Sequence, residues 1–170
     1  MCLICDGATY EESLAHMARI VAEQGWAIQG VERDRDHPPW AYTVGLTEYG
    51  VPELVATGLR LPRAADLLNS VAAHALHATA PIPGEQVPLV GGPLVEFVEL
   101  PHPDAHLHTA VQLYGSNIRA LQVVWADDRG HWPWHGGFRG GRGGQPGARA
   151  AGRIVSVRAA PTGAVPGRGM

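Results

Sequence analysis

Cys2 and Cys5 stand in a Cys-x-x-Cys spacing, which lets two thiolates reach one tetrahedral metal ion. The pair is half a site, and the nine histidines of the 170-residue chain supply candidates for the other half. His102, His106 and His108 fall close together, and His102 and His106 can share a face if a helical turn begins early. His74 and His77 are three apart on a predicted helix, and His131 and His135 flank Trp132-Pro133-Trp134. Any two of these histidines could complete a Cys₂His₂ site; Cys2, Cys5, His102 and His106 are taken as the candidate set. Zinc is the default for thiolate plus imidazole, with iron or copper as alternatives. Taken alone, each His pair is better explained as solvated or hydrogen-bonded surface.

Other chemistries have partial support. If Met1 is trimmed, the Cys2 thiol could use its own α-amine as base, but Cys5 is then redundant and no oxyanion loop is evident. The chain has four serines, and Gly115-Ser116-Asn117 lacks the nucleophile elbow. There is no Lys at all, which excludes lysine Schiff bases and the lysine-containing phosphate loop. Glu53, after Pro52 at the start of a predicted strand, is the better candidate for a functional carboxylate. Asp127 beside Asp128 reads as a solvated turn. An enzyme of hydrolase type would draw on Tyr42, Glu53, Asp127 and His131, with Glu53 or His131 as general base. Trp40, Trp125, Trp132 and Trp134 lie near strand ends and could line a pocket for a flat ligand, although filling the core is their plainer role.

The formal charge of −3 averages two unlike parts. Residues 1–135 hold 7 Arg and 16 acids, a balance of −9, whereas residues 136–170 hold 6 Arg and no acid. The body should repel nucleic acid and anionic lipid, and as an interaction module it would dock a basic protein. The tail carries a double Arg-Gly-Gly repeat from Arg139 to Gly144, a thin signal for weak RNA contact. Eleven of the 22 glycines fall in the tail, so disorder is expected from residue 136. No run approaches the roughly 20 apolar residues of a membrane span. The first residues lack a secretion pattern, which points to a cytoplasmic protein with reduced cysteines.

The elements that must position these groups follow from periodicity. Thr9 and Glu12 form a capping box for a first helix with Leu14, Met17, Ile20 and Val21 on one face and Gly25 as its stop. Residues 26–31, 40–46, 53–59, 94–100 and 118–125 read as strands, and 131–135 as an aromatic edge. Pro62 suits the first turn of a helix to about Ala78, with Ala65, Leu68, Val71, Ala72 and Leu76 inward. Residues 81–88 read as a loop, Gly91-Gly92 as a hairpin turn, and Glu96 as out of step with Val95 and Phe97. Asp104 can cap a third helix ending near Tyr114. The class is α+β: one compact domain over residues 1–135, an antiparallel or mixed sheet of five to six strands, and two to three helices on one side.

Several segments together resemble a known family. Met-Cys-Leu-Ile-Cys at the start, Ala41-Tyr42-Thr43-Val44-Gly45-Leu46, Gly50-Val51-Pro52-Glu53-Leu54 and Leu121-Gln122-Val123-Val124-Trp125-Ala126-Asp127 running into Trp132-Pro133-Trp134 are similar to the bacterial proteins grouped as domain of unknown function 4262. The resemblance spans nearly all of residues 1–135, and Gln145-Pro146 resembles the family's closing Gln-Pro. It implies one compact bacterial domain and no particular mechanism. It directs attention to Tyr42, Thr43, Gln122, Trp125, Trp132 and Trp134 as ligand-binding residues, joined by Glu53 and Asp127 at one concave end of the sheet. The Gly and Arg tail after Pro146 departs from the family pattern.

Overall fold

The structure is a computed structural model describing residues 9–35, 37–141 and 145. Helix α1 (Tyr10–Gln24) begins at the expected capping box: Glu12 N–H donates to Thr9 Oγ1 at 3.2 Å and Thr9 N–H to the Glu12 carboxylate at 2.7 Å. Gly25 closes it. Strands β1 (Ala27–Val31), β2 (Trp40–Val44) and β3 (Glu53–Thr57) follow. A single turn of 3₁₀ helix, Leu46–Tyr49, joins β2 to β3.

Helix α2 (Leu61–His77) carries Pro at its start and buries Ala64, Leu67, Leu68, Val71, Ala72 and Ala75. That stripe follows the 3.6-residue period but turns the expected Ala65 and Leu76 half outward. Strands β4 (Gln86–Pro88) and β5 (Leu94–Glu99) form the hairpin across Gly91-Gly92. Part of the expected loop at 81–88 is therefore strand, and Pro88 is tolerated because β4 is an edge. Glu96 is buried, with one carboxylate oxygen accepting from Gln86 Nε2 at 2.8 Å.

The helix expected from Asp104 is split. Pro103–Ala105 is a 3₁₀ turn entered through His102 in the left-handed region (φ 51°), and α3 (His108–Tyr114) starts only after Leu107. Strand β6 (Ala120–Trp125) completes a six-stranded sheet in the order β1-β2-β3-β6-β5-β4, antiparallel except for β3 and β6. Residues 131–135 form no edge strand; they are irregular, with a turn at Pro133 and Trp134.

The α+β class and mixed six-stranded sheet are as expected, but the helices occupy both faces. Helix α2 packs on Ala41, Leu54, Ala56, Leu121, Val123, Val95 and Phe97. Helices α1 and α3 cover Tyr42, Val44 and Val55 on the other side. Every residue of β3 and of β6 is buried, which a sheet covered on one face cannot achieve. No helix among the described residues is long and apolar enough to cross a membrane.

Candidate functional site

The polar residues of the central strands are consumed in holding the sheet together. Glu53 is 0% exposed. One oxygen accepts from the backbone N–H groups of Gly45 and Thr47, both at 3.0 Å, and from Thr47 Oγ1 at 2.8 Å. The other accepts from Thr43 Oγ1 at 2.6 Å, and Leu54 N–H donates back to that hydroxyl at 2.8 Å. Burial raises the Glu53 pKa above the ordinary value, while the bonds from Thr43, Thr47 and Gly45 oppose the rise. The carboxylate thus latches the β2–β3 connection. Tyr42 is likewise buried, its hydroxyl accepting from Thr109 N–H at 3.2 Å and so tying β2 to α3. Gln122 Nε2 donates to Thr57 Oγ1 at 3.0 Å between β6 and β3.

Glu53 and Asp127 do not share an end of the sheet. Glu53 lies opposite Ala120, where the parallel strands begin together, and β6 then runs on to Trp125 before Asp127 is reached. At roughly 3.3 Å per residue those strand residues alone separate the two levels by about 17 Å. The concave site expected from Tyr42, Glu53 and Asp127 is therefore not formed, because a parallel register sends the two carboxylates to opposite ends.

A different group assembles around Asp127. Its Oδ1 accepts from Arg129 N–H at 2.9 Å and His131 N–H at 2.8 Å, and its Oδ2 from Arg139 N–H at 2.7 Å. Desolvation opposes its ionisation, but the N–H donors of Arg139, His131 and Arg129 outweigh it and, with the His131 ring nearby, bring the pKa down to about 2. His131 Nδ1 lies 3.5 Å from Oδ2. The His131 and His135 rings stack at 4.5 Å, and Trp132 and Trp134 stack at 5.3 Å, half exposed on the same turn.

Trp125 anchors the chain beyond His135. Phe138, 2% exposed, packs on its ring at 5.2 Å. The Gln145 side-chain amide donates to Trp125 C=O at 2.9 Å and accepts from Trp125 N–H at 3.4 Å, imitating a neighbouring strand. The Arg139 guanidinium sits 5.9 Å from the Trp125 ring centre. Trp125 is 9% exposed, and its indole N–H is buried with no hydrogen-bond partner among the described residues.

Beside these groups opens a cleft of about 1140 Å³ between α2, the β4–β5 hairpin and the turn after β6. Leu67, Leu89 and Trp125 give it apolar wall, and Arg63, Arg129 and Arg139 stand on its rim. Trp125 and Asp127 are the residues of this site that the sequence marks for a ligand; Arg63 and Arg129 carry no such signal, and Arg139 stands out only as part of the Arg-Gly-Gly repeat. The lone Phe138 among glycines and arginines was the available signal that the segment turns back onto the domain.

Cys2 and Cys5 lie outside the described residues. His106 packs edge-on against Trp40 at 6.4 Å, and His102 is exposed at the strained turn. Among the described residues no group of three His, Cys, Asp or Glu side chains could hold a metal ion.

A two-faced mixed sheet with a terminal cleft defines a compact α+β domain. The family described as Domain of unknown function (DUF4262) matches residues 20–139, and the chain belongs to it. No curated protein and no solved structure matches the chain.

Proposed function

We propose that the protein binds a small organic molecule in the cleft between α2, the β4–β5 hairpin and the turn after β6. The observation that carries this reading is Trp125, which lines the cleft and holds a buried indole N–H without a partner among the described residues. Buried donors are seldom left unmade, since an unsatisfied one costs about 1–3 kcal/mol. A cleft with some apolar wall and a few convergent polar groups is the general form of a ligand site. The hydrolase alternative loses its geometry, since Glu53 is sealed and lies at the other end of the sheet from Asp127 and His131.

The test is nuclear magnetic resonance of the indole N–H groups during titration with anionic, cationic and neutral arenes. The Trp125 signal is identified by its loss in Trp125→Phe. At least one class should move that signal saturably, and Trp125→Phe should weaken binding about fivefold, the worth of one neutral hydrogen bond. If no class moves it, the cleft is not a ligand site.

The Cys-x-x-Cys spacing supports a second reading, a thiolate metal site at Cys2 and Cys5. Elemental analysis of tag-free protein should then find about one zinc per chain, lost in the Cys2→Ser, Cys5→Ser double variant. Equal metal content in both proteins overturns it.

A further inference from the structure

We infer that the cleft takes an organic anion, a carboxylate or phosphate carried on a flat apolar body. This rests on the ligand-binding reading above and adds the charge and shape of the ligand.

Arg63, Arg129 and Arg139 form no ion pair with any described residue, and an arginine side chain only donates. Trp125, a wall residue, holds a buried Nε1–H that also only donates and has no partner among the described residues. Asp127 could have reversed this balance, but both its oxygens are taken by the backbone N–H groups of Arg129, His131 and Arg139. Asp66 and Asp128 are exposed at the rim. The arginines are exposed in the same way, so the rim carries three guanidiniums against these two carboxylates, while the buried group left to bond, the Trp125 indole N–H, is a donor; that balance asks for acceptor oxygens.

The same contacts explain how two of the arginines are placed. Asp127 binds the backbone of both Arg129 and Arg139, so it is a positioning residue for the pair. Arg139 is one of two non-glycine residues with positive φ among those described (φ 50°). That unfavourable conformation is held by the 2.7 Å bond from its N–H to Asp127 and sets its guanidinium over the Trp125 ring. A guanidinium held on an aromatic ring keeps its planar fork ready for the two oxygens of a carboxylate or phosphate. Leu67 and Leu89 then offer apolar surface to the ligand's body.

The probes are 3-phenylpropionate, phenyl phosphate and inorganic phosphate, beside 3-phenylpropylammonium and 3-phenylpropanol as the cation and neutral of matched shape. Binding is read from the Trp125 indole signal and by calorimetry. The two organic anions should bind at least about tenfold tighter than the cation and the alcohol, and more weakly as salt rises. Whichever of the two is tighter identifies the head group. Arg129→Gln and Arg139→Gln, both exposed positions, should each weaken the anions about tenfold, and Arg139→Lys should restore part of the loss. If the cation or the alcohol binds as tightly as the anions, or if both glutamine variants keep full anion affinity, the anion assignment is overturned while the cleft reading stands. Inorganic phosphate binding as tightly as phenyl phosphate would overturn the flat apolar body. If no probe moves the Trp125 signal, the cleft reading fails, and this assignment with it.

Discussion

Glu53→Ala should destabilise the fold by about 3–5 kcal/mol, a large share of a typical domain's 5–15 kcal/mol. Truncation strands the N–H groups of Gly45 and Thr47 and the hydroxyl of Thr43 inside the protein, and leaves a cavity where the carboxylate was. Urea unfolding measures it directly. A loss below about 1 kcal/mol would mean that water replaces the carboxylate and that the site is not sealed.

Glu53→Gln tests the charge separately. Burial raises the folded pKa of Glu53 above 4.5, so the native state holds its proton to higher pH than the unfolded chain does. The resulting contribution to stability is fully present below about pH 4 and is lost as pH rises through the folded pKa. Relative to Glu53→Gln, the unsubstituted protein should therefore gain stability as pH falls toward about 4. A difference that grows with rising pH would refute the sign.

Gly45→Ala is the second large effect, expected at about 3 kcal/mol. Gly45 has φ +123°, which L side chains rarely adopt, and a Cβ there would meet Gly25 O at 2.8 Å, Val21 Cγ1 at 2.9 Å and the Trp26 Cα at 3.1 Å. Two of those three atoms are backbone, at the junction of α1 and β1, and cannot rotate away. Gly50→Ala is the control. It also has positive φ (+71°), but nothing lies within 4 Å, so only the backbone term of about 1–2 kcal/mol applies. Equal melting temperatures for the two variants would show that the close approach at Gly45 relaxes freely. Because Gly45 N–H also donates to Glu53, the two large effects report on one rigid corner. That corner holds the end of the sheet away from the cleft.

Local patterns explain how much of the fold was legible. The capping box at Thr9 and Glu12 and the stop at Gly25 depend on neighbours three or four residues away, so they survive without tertiary context. The Gly91-Gly92 turn is local in the same sense. The split before α3 was hidden because Asp104 and the residues after it do suit a helix. The left-handed His102 and the broken geometry at Leu107 reflect the docking of that segment. The second covered face was readable in principle from the continuous apolar run of Leu54, Val55 and Ala56 and from Leu121 to Trp125, which lack the alternation of a half-exposed strand.

The site divides along the same line. By itself the sequence determined the residue types, an α+β class, the charge split and the absence of lysine chemistry, because composition and short-range periodicity carry that information. Tertiary structure alone decided that Glu53 is an internal latch and that Asp127 faces the opposite end, because strand order and parallel register join residues some seventy apart. It also decided that Arg63, Arg129 and Arg139 meet at one cleft with Trp125. No local spacing relates a helix residue to a turn beyond a distant strand; burying both faces of one sheet does.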